Sequence, residues 1–259
     1  MRKARKSPDE MTFLEHLDDL RKRLFYAFLS IFVALIPAYV FSKDVYNFLA
    51  RPLTQYLPEG AKLSYLTLTE PFMTYIKVAF LTALFGVSPF IFYQVWKFVA
   101  PGLYQKEKKY VIPFVLFTSV FFLGGAAFAY TVAYPFACRF FLQMGKDFQA
   151  VITISQFFSL TVKMLLGIGL VFEMPVLIFF LSKMGIVTSG WMVRNFKYAV
   201  LAVFVIAALI TPSPDMINQM IIAGPMLLLY GIGVLVAFLF GKERLTRRAK
   251  KGRAADPAG

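Results

Sequence analysis

The stretch YQVWKFVAPGLYQKEKK, residues Tyr93 to Lys109, is the most polar interruption between two long apolar runs, and its reading as a loop between membrane spans decides the fold. It joins a short aromatic segment to one carboxylate, Glu107, set among Lys106, Lys108 and Lys109. The lysines largely cancel the field of the acid at long range, yet a cation can still be held at contact distance. Two readings stand. Glu107 relieves repulsion among the lysines at a solvated helix start, or it contacts a cationic ligand.

The surroundings are apolar. Hydrophobic residues make up 59% of the chain and the mean hydropathy is +0.66, well above a soluble domain, so lipid is the main solvent. The expected fold is an all-α polytopic membrane protein. One cysteine, Cys138, and one histidine, His16, exclude an internal disulfide, a Cys/His metal set and a redox pair. No phosphate loop, zinc-protease motif, metal-spaced acid pair or serine elbow occurs, so neither an enzyme nor a cofactor or metal is expected.

Outward from the loop, apolar runs place six transmembrane helices at about 24–41, 71–95, 110–130, 161–181, 198–210 and 220–240. Residues 1–23 form an N-terminal segment with an amphipathic helix, and 241–259 a basic disordered tail. The first run is longer than a signal-peptide core and lacks a small-residue cleavage site after it, so it reads as an uncleaved span. In the loop 42–70, Val45, Phe48, Leu49, Leu53 and Tyr56 recur at helical spacing, as in a helix lying at the interface. Residues 131–160, with Pro135, Arg139, Lys146 and Asp147, read as a second folded external loop. Lys77 and Lys163 sit near span ends and can snorkel. Glu173 lies near mid-span, two residues before Pro175, where a carboxylate is costly unless neutral, paired or facing polar protein. The fifth run rises only about 20 Å against a core of about 30 Å, so a short final hairpin, with short fifth and sixth helices, thins the bilayer or faces a polar notch.

Lys and Arg set the orientation. The N-terminal segment, the Tyr93 loop, the 182–197 loop and the tail carry seven, four, three and seven, whereas the alternate loops carry three, two and none. This positive-inside bias puts both termini in the cytosol. The net charge of +14 therefore reports topology, and no nucleic-acid partner is expected. The entry FLEHLDDLRKRL, residues 13 to 24, then shares the cytosolic face with the Tyr93 loop. Its Glu15, Asp18 and Asp19 fall within a helical turn. They either favour the helix N-terminus or converge with Glu107 on arginine side chains. His16 reads as a surface histidine beside Asp19.

Three stretches together resemble the TatC family of twin-arginine protein translocase subunits: the entry FLEHLDDLRKRL, the loop YQVWKFVAPGLYQKEKK, and the segments VFEMP and LITPSPD. The resemblance runs over about residues 11 to 240, and the loop motif is specific to the family. It implies a receptor, in a prokaryotic cytoplasmic membrane, for folded proteins whose signal peptides carry paired arginines. It also implies single-span TatA-type and TatB-type partners, a homo-oligomer within the complex, and transport driven by the proton-motive force. By the same resemblance Glu107 and Asp19, the latter before the pair Leu20-Arg21, read the two arginines. Many relatives carry Glu at the second position; Asp19 keeps the charge with shorter reach, and Asp18 or Glu15 could share its role. Phe98, Pro101, Leu103 and Tyr104 resemble a platform for the hydrophobic positions of the peptide. Glu173 matches an intramembrane glutamate on a concave face. Thr211, Asp215 and Gln219 resemble the polar end of the last hairpin, where partner helices dock. Pro52 and Glu70 match external-loop positions implicated in transport and assembly, Pro52 reading first as a turn.

Two arginines present ten N–H donors in rigid forks, so two separated carboxylates can read both, whereas lysines offer point charges. The competing reading is a small proton-coupled secondary transporter using Glu173, with Pro175 as the helix break. Against it, the halves show no inverted repeat.

Overall fold

The computed structural model describes residues 13–57, 63–99, 111–148, 151–211 and 216–241. Among them the chain is helical, apart from turns and one isolated bridge between Ser64 and Thr153. Hydrocarbon offers no partners to backbone N–H and C=O groups, and a helix satisfies them within its own segment. The elements are α1 (Phe13–Val40), α2 (Ser42–Thr54), α3 (Glu70–Val99), α4 (Val111–Phe128), a π-helical turn (Ala129–Ala133), α5 (Tyr134–Met144), α6 (Ile154–Phe172), α7 (Met174–Lys183), α8 (Ser189–Arg194), α9 (Phe196–Ile210) and α10 (Met216–Phe240).

Among the described residues five helical stretches are long and apolar enough to cross a membrane: His16–Val40, Glu70–Phe98, Ile112–Met144, Ile154–Lys183 and Met216–Phe240. Helix α9 has 15 residues and rises only about 22 Å. The shortness expected of the final hairpin resides in α9 alone. Helix α10 takes 25 residues, starting at Met216, so the sixth helix is not short.

Two compact units divide the chain. In the first, comprising Met1–Arg51, Ala61–Val120 and Val151–Phe158, α1 packs on α3. Ile31, Ala38, Ala79 and Ala83 are buried along the seam, flanked by Ala34, Leu35, Leu84, Val87 and Ile91. Small side chains let the two backbones approach closely, which is how helices associate where lipid removes a hydrophobic drive. No breaker separates the acidic entry from the first apolar run, so both belong to one 28-residue helix. Helix α2 forms where the apolar spacing placed it. Tyr46 makes edge contacts with Tyr75 and Phe157, each at 5.9 Å, and burial pushes its phenol up to about 12. Near it Ser64 donates to the carbonyl of Ile152 and accepts from Ile154 N–H, both at 2.9 Å.

The second unit comprises Pro52–Gly60, Phe121–Ala150 and Ser159–Gly259. Here the stretch expected as an external loop from residue 131 is helical through Met144. The π turn precedes α5, whose first turn holds Pro135. A proline lacks the N–H that would bond four residues back, and a π turn absorbs such a defect without ending the helix. Tyr134, Ala137 and Cys138 are buried on that continuation. Likewise α6 begins at Ile154, ahead of the expected 161.

Helices α4 and α6 pack through glycines. A Cβ built on Gly125 would lie 2.7 Å from Cγ of Phe172, whereas one on Gly124 meets nothing within 4 Å. Gly125→Ala should therefore destabilise by about 1–3 kcal/mol through overpacking and lower Tm by roughly 5 °C. Gly124→Ala should leave Tm unchanged or slightly raised through helix propensity. Thermal unfolding of the two variants in detergent checks the contrast, which equal shifts would contradict.

Candidate functional site

The described part of the constellation expected at the cytosolic face is built by α1 and α3. The imidazole of His16 stacks on Phe98, with ring centroids 4.4 Å apart and planes 16° apart. This contact ties the acidic entry of α1 to the last turn of α3, from which the Glu107 loop departs. His16 is thus not simply a surface histidine. No local signal pointed to a partner 82 positions away, although His16 and Asp19, three apart, share a helix face.

The carboxylate of Asp19 accepts from Nε of Arg23 at 2.7 Å, with side chains 26% and 15% exposed. Asp18 pairs with Lys22 at 2.7 Å. Arg21 is exposed. Glu107, Pro101, Leu103 and Tyr104 lie outside the described residues, as do the backbone and side chain of Asp215; for Glu15 the side chain does. The flanks of the loop are nevertheless joined. Nε1 of the buried Trp96, on α3, donates to Oγ1 of Thr118, on α4, at 3.2 Å. The Trp96 ring also lies against Phe114 at 5.8 Å, so tryptophan fills its apolar surroundings while its N–H finds a partner.

On the opposite side of the first unit, Glu70 is a structural tie. Its Oε2 accepts from Leu66 N–H and its Oε1 from Ser155 N–H, both at 2.8 Å. The second bond caps the start of α6, where the first helical N–H groups lack partners. Pro52 is buried inside the last turn of α2. That corrects its reading as a turn: the sequence P-L-T-Q continues one helical turn, with Gln55 donating back to the Pro52 carbonyl at 3.4 Å.

In the second unit Glu173 occupies the break between α6 and α7, at the N-cap of α7 with Pro175 in the first turn. Proline there removes a backbone bond to Val171 and ends α6. Glu173 is 7% exposed, and its Oε1 is buried without a hydrogen-bond partner. Phe172 beside it stacks on Phe128 at 5.7 Å. Thr211, also buried, terminates α9: its N–H donates to the Ala207 carbonyl at 2.8 Å, and its hydroxyl donates to the same oxygen. Gln219 donates from Nε2 to the Phe204 carbonyl at 2.6 Å, fastening α10 to the body of α9. Thr211 and Gln219 thus serve one hairpin, while Glu173 lies at a separate helix break.

The first unit supplies the carboxylates of Asp18 and Asp19 and the His16–Phe98 stack, and the second a buried acid, Glu173. Among the described residues no three His, Cys, Asp or Glu side chains gather as a metal-holding group. Carboxylates on a partly exposed helix face can pair with a cationic chain.

Comparison with known proteins identifies the family. A family model described as Sec-independent protein translocase protein (TatC) matches residues 15–225. The TatC of Koribacter versatilis is 44% identical over 249 residues, covering 95% of this chain and 92% of that one. TatCy of Bacillus subtilis is 36% identical over 260 residues, covering 98% and 97%. A crystal structure described as the twin arginine translocase receptor TatC superposes with a TM-score of 0.77 at 33% identity, over 86% of this chain and 99% of that chain. With its apolar helices and this match across nearly its whole length, the chain belongs to the TatC family and is a multi-pass membrane subunit of the Sec-independent Tat protein translocase.

Proposed function

We propose that this chain is the cytosolic-face receptor of the twin-arginine translocase, in which Glu107 and Asp19 bind the paired arginines of signal peptides on folded cargo. It sits in a prokaryotic cytoplasmic membrane with both termini in the cytosol, works with TatA-type and TatB-type single-span subunits and further copies of itself, and draws on the proton-motive force. The observation that carries this reading is the stack of His16 on Phe98, which keeps the face bearing Asp19 against the root of the Glu107 loop. The solved relative, described as a receptor, supports it. Family membership leaves the small-solute transporter reading of Glu173 without support.

The mechanism is an exchange of partners. Asp19 already holds the guanidinium of Arg23 in a partly exposed pair, of a kind worth about 0.3–0.5 kcal/mol. An incoming arginine replaces it at little cost, and Glu107 takes the second arginine, free of competition from lysine forks because lysine has none. Phe98 with Pro101, Leu103 and Tyr104 receives the hydrophobic positions that follow, and Arg21 faces the acidic or polar flank of the peptide. Glu173 then offers a polar point on which the peptide or a partner helix rests within the membrane, and Thr211, Asp215 and Gln219 present the short hairpin to a partner helix.

Glu107→Gln should weaken binding of an Arg-Arg signal peptide about tenfold, the loss of one charge-assisted hydrogen bond. Adding Asp19→Asn should abolish binding, whereas Arg23→Gln should tighten it about twofold by releasing Asp19. Fluorescence anisotropy with a labelled peptide measures all three, and unchanged affinity in the double variant would refute the assignment. For the buried acid, Glu173→Met removes an oxygen that lacks a partner, a group that costs about 1–3 kcal/mol when buried. The variant should unfold at higher temperature in detergent while cargo export falls. Normal export, or a lowered Tm, would show that Glu173 is a packing residue.

A further inference from the structure

Helices α8 and α10, both in the second unit, enclose a groove of about 640 Å³. Its α10 wall is Gly231, Leu235 and Phe238, which share one helix face at i, i+4 and i+7. Its α8 wall is Gly190, Val193 and Arg194. A Cβ added at Gly190 or Gly231 would meet nothing within 4 Å, so the two glycines open the groove rather than serve close packing. Val193, Leu235 and Phe238 are each more than half exposed.

The groove lies where spans end. Helix α7 closes the span Ile154–Lys183, α8 follows it, and Gly231 to Phe238 lie in the C-terminal half of the span Met216–Phe240. The rim is cationic. From residue 174 to 214 the chain has no carboxylate but holds Lys183, Arg194 and Lys197. Among the described residues the ion pairs are Lys22 with Asp18 and Arg23 with Asp19, and neither involves Arg194.

We infer that this groove binds an anionic phospholipid, its phosphate against Arg194 and one acyl chain along Leu235 and Phe238. Apolar walls below a single unopposed guanidinium match a molecule that is apolar at one end and anionic at the other. Basic pockets among helices on the cytoplasmic side recognise acidic headgroups in this way. The α8 scaffold that presents Arg194 is fixed from below: the Tyr230 hydroxyl donates to the Met192 carbonyl at 3.1 Å, and Met192 is buried with Ile178 and Ala237.

The test equilibrates the full chain, in detergent, with equimolar phosphatidylglycerol and phosphatidylcholine, and native mass spectrometry counts the lipid retained after washing. The wild type should retain phosphatidylglycerol in preference. Arg194→Gln should lower that retention about fivefold, and Arg194→Lys should restore most of it. Gly231→Leu, whose added Cβ meets nothing within 4 Å, projects into the groove and should displace both lipids at unchanged Tm. If that variant unfolds early, Gly190→Leu performs the same test from the other wall. Equal retention of both lipids by the wild type, a preference that survives Arg194→Gln, or full retention in a filled groove of a stably folded variant would overturn the inference.

Discussion

Each backbone N–H and C=O that lipid surrounds must find its partner inside the protein, and this constraint shapes the chain wherever its helices deviate. Pro135 cannot donate, and the chain answers with a π turn over Ala129–Ala133 rather than a loop. Pro175 ends α6, and the break exposes a helix start that Glu173 occupies. Thr211 closes α9 by sending both its N–H and its hydroxyl to one carbonyl. Gln219 satisfies a carbonyl in the body of α9 from the next helix. Glu173 and Thr211, in the segments VFEMP and LITPSPD, thus sit where the helical ladder is interrupted.

The same economy governs the α1 entry of the first unit. Helix α1 carries its acids on a continuous rod anchored along α3 by alanine-lined packing, and a rod fixes direction better than a loop. His16 on Phe98 and Trp96 on Thr118 then hold the end of α3 against α1 and α4. A receptor for two guanidinium groups needs two carboxylates at a fixed spacing, because each fork is rigid while the peptide carrying them is not. On the proposed reading, packing fixes the Asp19 end of that spacing, and the weak intrahelical pair with Arg23 leaves its carboxylate exchangeable.

Local pattern made part of this legible. The spacing of Leu49 and Leu53 announced α2, both residues being buried on it. The run from Tyr198 announced a helix too short for the bilayer, whereas the span expected at 161–181 is interrupted at Glu173, a break that only the transporter reading places at Pro175. Prolines and charges misled where tertiary packing overrode them. Pro52 sits inside a helix, and the stretch around Arg139 is helical because Tyr134, Ala137 and Cys138 bury its other side. Contacts between distant segments were beyond local pattern: Glu70 reaches Ser155 across 85 positions, and neither residue carries a mark of the other. The stack of His16 on Phe98 belongs to that class.

The central claim is that α1 and the Glu107 loop read one peptide together. Photoreactive side chains placed singly at Leu20 and at Lys106, in the full chain with a signal peptide bound, test it most directly. Both positions should crosslink to the paired-arginine region of the same peptide, and both crosslinks should fade when the pair is changed to lysines. A crosslink from position 106 with none from position 20 would contradict the claim and leave the loop alone as the receptor.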